Sequence, residues 1–324
     1  MSFVVVVADH IGKHGIDLLQ RTPQFDVIFT AGQPENLAAA MKSANALVVR
    51  SGTKVTDDLM ARAPKLKVIG RAGMGVDNID VAAATSRGIA VLNTPGANTI
   101  SAAEHTFALL LSLLRRIPWA TERLRQKSWD RQAFSGTELH GKTLGTLGLG
   151  RIGRHVVGLA RAFGMEVLAF DPFVTQSAAS NLGVTFATLP EVLQRADVVS
   201  LHMPLNDDTR RIINGETLAL MKPTTVLINT ARGGLIDEEE LIAALDAGRL
   251  SGAALDVFEA EPLAPDSPLR TCDRVVLTPH LAASTTEAQA RVSIEICESV
   301  CRALVDGDVS GAVNPGAITR PTRS

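Results

Sequence analysis

Three apolar runs in this chain end on residues that can move a proton or grip an anion. INTARGG carries Arg232 directly before two glycines, ALDVFEAEP closes on Asp256, Glu259 and Glu261, and RVVLTPH places His280 after a proline. An arginine's planar fork pairs with a carboxylate at two points. A histidine exchanges a proton near neutral pH, and a nearby carboxylate fixes its tautomer and favours its charged form. These are the tools for oxidising a hydroxy acid: Arg232 for the carboxylate, His280 for the hydroxyl proton, Glu261 for the imidazole. Plainer readings exist for each. An arginine before Gly-Gly is by itself more often a surface or capping residue, the two glutamates could form a solvated acidic loop, and a histidine after proline could satisfy backbone groups in a turn.

A carbon that loses hydride needs an acceptor, and the chain has a cradle for one. Gly148-Leu149-Gly150-Arg151-Ile152-Gly153 is G-x-G-x-x-G, preceded by the strand-like KTLGTLGL and followed by the helix-like RIGRHVVGLARAFG. Glycines at those positions allow a tight turn, close approach of backbone to a pyrophosphate, and close helix–strand packing. The helix start adds free N–H groups and the positive end of its dipole. The next strand, MEVLAFD, ends in Asp171, close to the ~20-residue separation at which an acid meets the adenosine ribose. A carboxylate there repels a 2′-phosphate, so the expected cofactor is NAD rather than NADP.

These residues need strands to hold them, and the sequence alternates short β-branched runs with helical patterns, as parallel α/β architecture does. In the first hundred residues FVVVVAD, ALVVR, LKVIG and IAVLN read as strands. A long apolar helix follows over about Asn98 to Arg116, then a polar stretch holding Trp129. A second series of about seven strands runs from KTLGTLGLG to RVVLTPH, mostly continuous in apolar character, as expected when helices cover both sheet faces. Ligands of such sheets bind beyond the carboxyl ends of the strands, which puts His202, Met203, the Thr230–Gly233 stretch, Asp256 and His280 on one rim. His10, His14, His105, His140 and His155 read as structural or surface residues. A last helix spans about Thr285 to Val305 and could cross back to join the first domain, and the tail GAITRPTRS reads as loose.

Composition narrows the function classes. The 324 residues are long enough for two domains, with 46% hydrophobic and 20% charged residues, as in ordinary globular chains. A net charge of −2 with no basic run argues against a nucleic-acid partner. The start MSFVVVVADH has no basic n-region, and FALLLSLL is too short to span a bilayer, so no membrane partner and a cytoplasmic location are expected. Cys272, Cys297 and Cys301 lack the companions of a metal site and read as free thiols of a reducing compartment; no metal is expected.

Taken in order, VRSGTKV, GRAGMGVDNID, NTPGANTISAAEHTFALLL, GKTLGTLGLGRIG, FDP, LHMPL, INTARGGLIDEEEL, ALDVFEAEP and TPHLAAST resemble the D-isomer-specific 2-hydroxyacid dehydrogenase family over nearly the whole chain. The resemblance implies two Rossmann-like doubly wound parallel-sheet domains with a cleft between them. Residues 1–98 plus 283–324 would form a discontinuous substrate domain, and 99–282 the NAD-binding domain. It implies a homodimer, and Arg232, Glu261 and His280 as the catalytic residues. Cofactor contacts carried over are Gly148, Gly150, Arg151, Ile152, Gly153, Asp171, Thr230 and Asp256, the last holding the carboxamide, with Ala282 near the nicotinamide and His202 and Met203 alongside.

Within the family the stretches VRSGTKVT and WDRQAFSGTELHGKTLG are most similar to the phosphoglycerate dehydrogenase branch. The implied substrate is a small anionic 2-hydroxy acid, 3-phosphoglycerate, oxidised to 3-phosphohydroxypyruvate. Arg50, Lys54, Arg71 and Arg131 are the candidate cations for its phosphate, with Ser51 beside them, and backbone N–H groups around Gly73, Met74 and Gly75 would take its carboxylate. Met74 and Met203 depart from the branch, whose members often carry threonine there. The chain ends soon after GAVNP, so no regulatory domain is expected. The same scaffold also serves hydroxypyruvate or glyoxylate reductases, sulfolactate-type dehydrogenases and, in a different class, NAD-sensing co-repressors.

Overall fold

The computed structural model describes residues 2–175 and 182–317, so the end of the tail, 318–324, lies outside the described residues. The chain divides into two compact units, residues 1–98 with 283–324 and residues 99–282.

The first unit is a parallel sheet of β1 (Phe3–Val7), β2 (Phe25–Phe29), β3 (Ala46–Val49), β4 (Val68–Arg71) and β5 (Ala90–Leu92) in the order β2-β1-β3-β4-β5. Strand β2 is an addition to the four strands expected from sequence. It sits at the sheet edge with only partial burial and is interrupted by Asp26, so it lacks the continuous apolar run of an interior strand. Alternate residues feed opposite faces: Val5, Val7, Val48 and Val68 pack with Ile296 and Val300, while Val6, Leu47 and Ile69 pack with Met41 and Met60. The helix Thr286–Val305 therefore belongs to this unit, although it follows the other in sequence. Thr285 caps its start by accepting the Ala288 N–H at 3.1 Å.

The second unit contains β6 (Thr143–Leu147), β7 (Glu166–Phe170), β8 (Thr185–Phe186), β9 (Val198–Leu201), β10 (Val226–Asn229), β11 (Gly252–Leu255) and β12 (Val275–Leu277), all parallel. Their order β12-β11-β10-β9-β6-β7-β8 reverses between β6 and β9, the crevice where open sheets take ligands. Leu227 and Val199 point into one core, Ile228 and Val198 into the other, with Phe107 and Leu110 of the helix Thr99–Leu114 covering the second face. A further helix, Ile117–Arg125, starts the stretch that reads as polar from sequence; it buries none of its residues, which hides its amphipathic signal. No helix among the described residues is long and apolar enough to cross a membrane. The three cysteines are free, and burial with a neighbouring thiol pushes Cys297 up to about 12.

Candidate active site

Sheet register places the chemistry. Asn229, Leu255 and Leu277 stand abreast on β10, β11 and β12; Asp256 is the next residue beyond that row, and Arg232 and His280 each lie three residues beyond it. Neighbouring strands are about 4.8 Å apart, so the loops carrying Arg232 and His280 leave the same edge two strands apart. Asn229 braces the first loop: its amide donates to the Arg232 carbonyl at 2.8 Å and its side-chain oxygen accepts the Ala231 N–H at 3.0 Å. Gly233 seats that loop, because a Cβ there would collide with the Phe258 carbonyl and come within 2.5 Å of the Glu259 nitrogen. The Arg232 loop is thus pressed against the segment that carries Glu261.

His280 Nδ1 lies 2.8 Å from Glu261 Oε2, and the Phe258 N–H donates to Glu261 Oε1 at 3.2 Å. A carboxylate only accepts, so Nδ1 carries the proton and Nε2 keeps a free lone pair. Burial raises the Glu261 carboxyl, but hydrogen bonding and charge from His280 with the Phe258 N–H outweigh it and leave it below its ordinary value. The acid is therefore favoured in its ionised form beside the imidazole. Glu259 has a different partner: it accepts from Arg211 Nε at 3.2 Å, and Arg211 also reaches Asp237 at 3.0 Å. Sequence does not separate the two glutamates; that arginine does.

The His280 backbone is left-handed, with φ 55°, a conformation that costs a non-glycine residue ~1–2 kcal/mol. Its N–H donates to the Asp256 carbonyl at 2.8 Å. The Asp256 side chain is fully buried, and its carboxylate meets Thr278 Oγ1 at 2.6 Å, the Leu281 N–H at 2.7 Å, the Ala282 N–H at 2.9 Å and His105 Nε2 at 3.1 Å. Burial again raises the carboxyl, and these donors outweigh it to hold Asp256 below its usual range. Three of these donors meet Oδ1 and only the Ala282 N–H meets Oδ2. His105, a structural or surface residue by its place in the sequence, reaches Asp256 only through the tertiary fold.

The glycine turn fits a dinucleotide. Gly148 has φ 104° and lies so close to the His202 carbonyl that a Cβ would sit 2.6 Å from it, while a Cβ on Gly153 would collide with the Gly148 carbonyl. Around Gly150 a Cβ would meet nothing within 4 Å. Gly150 caps the helix Arg151–Ala162 with no side-chain hydrogen bond, so the first-turn N–H groups stay available to an anion. His202 and Met203 back the turn, and burial lowers the His202 imidazole to about 4, keeping it neutral. Thr230 is buried with its hydroxyl 2.8 Å from that of Thr106. Arg151 is exposed and Ile152 half-buried at the helix start.

Asp171 directly follows β7 and accepts from the Leu149 N–H at 2.7 Å and the Phe173 N–H at 2.8 Å. The carboxylate therefore shapes the glycine turn, and a ribose beside it is the contact expected from sequence. Like charges in such a half-dry site repel by a few kcal/mol, so kcat/KM is expected to favour NAD over NADP by at least ~100-fold. Asp171→Ala should shrink that ratio at least tenfold, mainly by losing affinity for NAD. Equal kcat/KM for the two cofactors in the unaltered protein would refute the assignment.

The candidate substrate residues of the first unit cluster at the carboxyl ends of β3 and β4. Asp9, which follows β1, accepts from the Arg50 N–H at 2.6 Å and from Thr53 Oγ1 at 2.8 Å, and Asn78 donates to the Arg50 and Thr53 carbonyls at 2.7 Å each. The reversal between β1 and β3 makes this loop the ligand position of that sheet. Ser51 and Lys54 are exposed and Arg50 half-buried. Gly73, at φ 143°, lets the Arg71 guanidinium lie against the backbone where a Cβ would be, and the Thr94 N–H donates to its carbonyl at 3.0 Å. Met74 and Gly75 are half-buried beside it. Arg131, in the other unit, is exposed just before the turn Gln132–Phe134.

Known proteins resemble this chain over much of its length. Residues 107–282 match the family described as D-isomer specific 2-hydroxyacid dehydrogenase, NAD binding domain. A D-3-phosphoglycerate dehydrogenase of Synechocystis sp. is 46% identical over 97% of this chain and 56% of its own length. The chain spans somewhat over half the length of the curated relatives it matches. Among solved structures, a protein of Thermus thermophilus superposes with a TM-score of 0.86 at 36% identity, covering 96% of this chain and all of that one. D-lactate dehydrogenase of Aquifex aeolicus, complexed with NAD and lactic acid, gives 0.83 at 32% identity, covering 96% and 99%. With two parallel doubly wound sheets, a glycine turn built for a dinucleotide and these matches, the chain belongs to the D-isomer specific 2-hydroxyacid dehydrogenases and carries their NAD binding domain.

Proposed function

We propose that this chain oxidises the CH–OH of a small anionic 2-hydroxy acid with NAD, and that the acid is 3-phosphoglycerate, giving 3-phosphohydroxypyruvate. The observation that carries the reading is the 2.8 Å pair of His280 Nδ1 and Glu261 Oε2 at the carboxyl edge of the sheet, beside the Arg232 loop. Bound NAD supplies the hydride acceptor, and Gly148, Gly150, Gly153 and Asp171 would hold it. Arg232 binds the substrate carboxylate and steadies negative charge growing on the C2 oxygen. His280 takes the hydroxyl proton on Nε2 and becomes imidazolium, and Glu261, ionised, stabilises that cation and keeps the ring aimed.

Arg50 and Arg71 are the cations proposed for the far anionic group, with backbone around Gly73, Met74 and Gly75 for the carboxylate. The Synechocystis relative is a D-3-phosphoglycerate dehydrogenase, which favours phosphate as that group. The test is a panel of 2-hydroxy acids with NAD, comprising phosphoglycerate, glycerate, lactate and sulfolactate. The expected result is highest kcat/KM for phosphoglycerate. A higher value for sulfolactate or lactate would replace the substrate, and NAD binding without turnover of any 2-hydroxy acid, or of the matching oxo acids with NADH, would place the chain among NAD-sensing binding proteins.

A further inference from the structure

His280 needs something to hold it in its left-handed backbone conformation. No glycine is there to adopt φ 55° freely. The segment 278–282 instead hangs on Asp256. Thr278 Oγ1 donates to Oδ1 on one side of His280, the Leu281 and Ala282 N–H groups donate to Oδ1 and Oδ2 on the other, and the His280 N–H itself goes to the Asp256 carbonyl. One buried side chain and its own backbone thus fix four of the five residues around the turn. Moving Asp256 would move the imidazole.

Asp256 is in turn held from behind. His105, in the middle of the helix Thr99–Leu114, brings Nε2 to 3.1 Å from Asp256 Oδ1 and to 3.1 Å from Thr278 Oγ1. The Thr278 hydroxyl donates its hydrogen to the carboxylate, so its oxygen can only accept from His105, and the carboxylate accepts as well. Both partners therefore require the Nε2–H tautomer, whose single hydrogen is shared between them. His105 is mostly enclosed, with 18% of its side chain exposed. Its helix also sends Phe107 and Leu110 into the sheet core, so the donor stands on a packed element. A buried carboxylate that loses one of its donors is left under-satisfied and shifts to find another.

We propose that His105 is a positioning residue for catalysis: through Asp256 and Thr278 it sets the backbone conformation that aims His280. The proposal rests on the catalytic reading of His280, and adds to it a residue that touches neither substrate nor reacting atoms. A Gln at this position can place an amide donor close to Nε2, whereas Leu fills similar space with no donor.

The test compares His105→Leu and His105→Gln in the full chain by steady-state kinetics, thermal melting and NMR of the histidine imidazoles. His105→Leu is expected to lower kcat at least tenfold, in line with the cost of a small misplacement of a reacting group, with KM for substrate and NAD changed less than threefold. His105→Gln is expected to return kcat to within about threefold of the original protein. The His280 Cε1–Hε1 resonance should move in the Leu protein and return in the Gln protein. Unchanged kcat in His105→Leu, equal losses of kcat in both variants, or a His280 resonance that stays in place would each overturn the proposal. If His105→Leu does not fold, His105→Asn, whose amide is too short to reach, replaces it with the same expected losses. If the unaltered protein oxidises no 2-hydroxy acid, the proposed function fails, and the His280 resonance alone then decides whether His105 positions it.

Discussion

His280→Asn is expected to lower kcat by roughly 10²–10⁴-fold, the usual worth of a positioned general base, while NAD affinity changes less than threefold. Asparagine is the informative replacement because it tolerates the left-handed conformation that His280 adopts at φ 55°. It keeps the turn but cannot accept a proton at neutral pH. The partner's state supports the size of the effect: His280 and the Phe258 N–H hold Glu261 low against its own burial, so in the proposed mechanism removing the imidazole removes the proton acceptor that this carboxylate serves. His280→Ala would mix this loss with backbone strain. Steady-state rates with saturating substrate and NAD check the prediction, and a kcat within fivefold of the unaltered protein would remove His280 from the mechanism.

Gly233→Ala is expected to be nearly as damaging although it adds one methyl group and no charge. The site where the Cβ would go is filled by the Phe258 carbonyl and, at 2.5 Å, the Glu259 nitrogen. Both are backbone, so neither can rotate aside as a side-chain end would. The Arg232 loop or the loop leading to Glu261 must withdraw, which separates Arg232 from the Glu261–His280 pair. Overpacking of this kind costs ~1–3 kcal/mol or more, equivalent to a fall in Tm of about 2–4 °C per kcal/mol for a domain of this size. Displacement by about 1 Å can cost 10²-fold in rate, so kcat/KM should fall at least that far. Gly150→Ala is the contrast: a Cβ there meets nothing within 4 Å, so melting should be unchanged while NAD affinity falls. Wild-type kinetics in Gly233→Ala would break the link between the two loops.

The second sheet is legible in the sequence because most of its strands are buried on both faces and read as largely apolar runs, from Thr143–Leu147 to Val275–Leu277. Once those strands are parallel and ordered, the rim position of Arg232, Glu261 and His280 follows from where each run stops. The edge strand Phe25–Phe29 is not legible, since Asp26 and partial exposure leave it without the pattern of an interior strand. The helix Ile117–Arg125 escapes for a related reason: its N-cap, Arg116, takes φ 52° two residues after the preceding helix ends, and the helix buries no residue.

Within the site, sequence gives residue types at strand ends but not which of them meet. Glu259 and Glu261 are two residues apart, and only the position of Arg211 assigns the first to an ion pair and leaves the second to His280. His105 lies 151 residues before Asp256 on a helix rich in leucines and alanines, so nothing local marks it. Asp9 and Asn78, which hold the Arg50 loop, are likewise visible only through hydrogen bonds across strands.

The most direct measurement of the account follows a single hydrogen. The protein is incubated with NAD and 3-phosphoglycerate carrying deuterium at C2, and the NADH formed is weighed by mass spectrometry. If His280 takes the hydroxyl proton while C2 gives up its hydrogen as hydride, the NADH is one mass unit heavier and the solvent gains no deuterium. Unlabelled NADH with deuterium in water, or no NADH at all, would contradict the account.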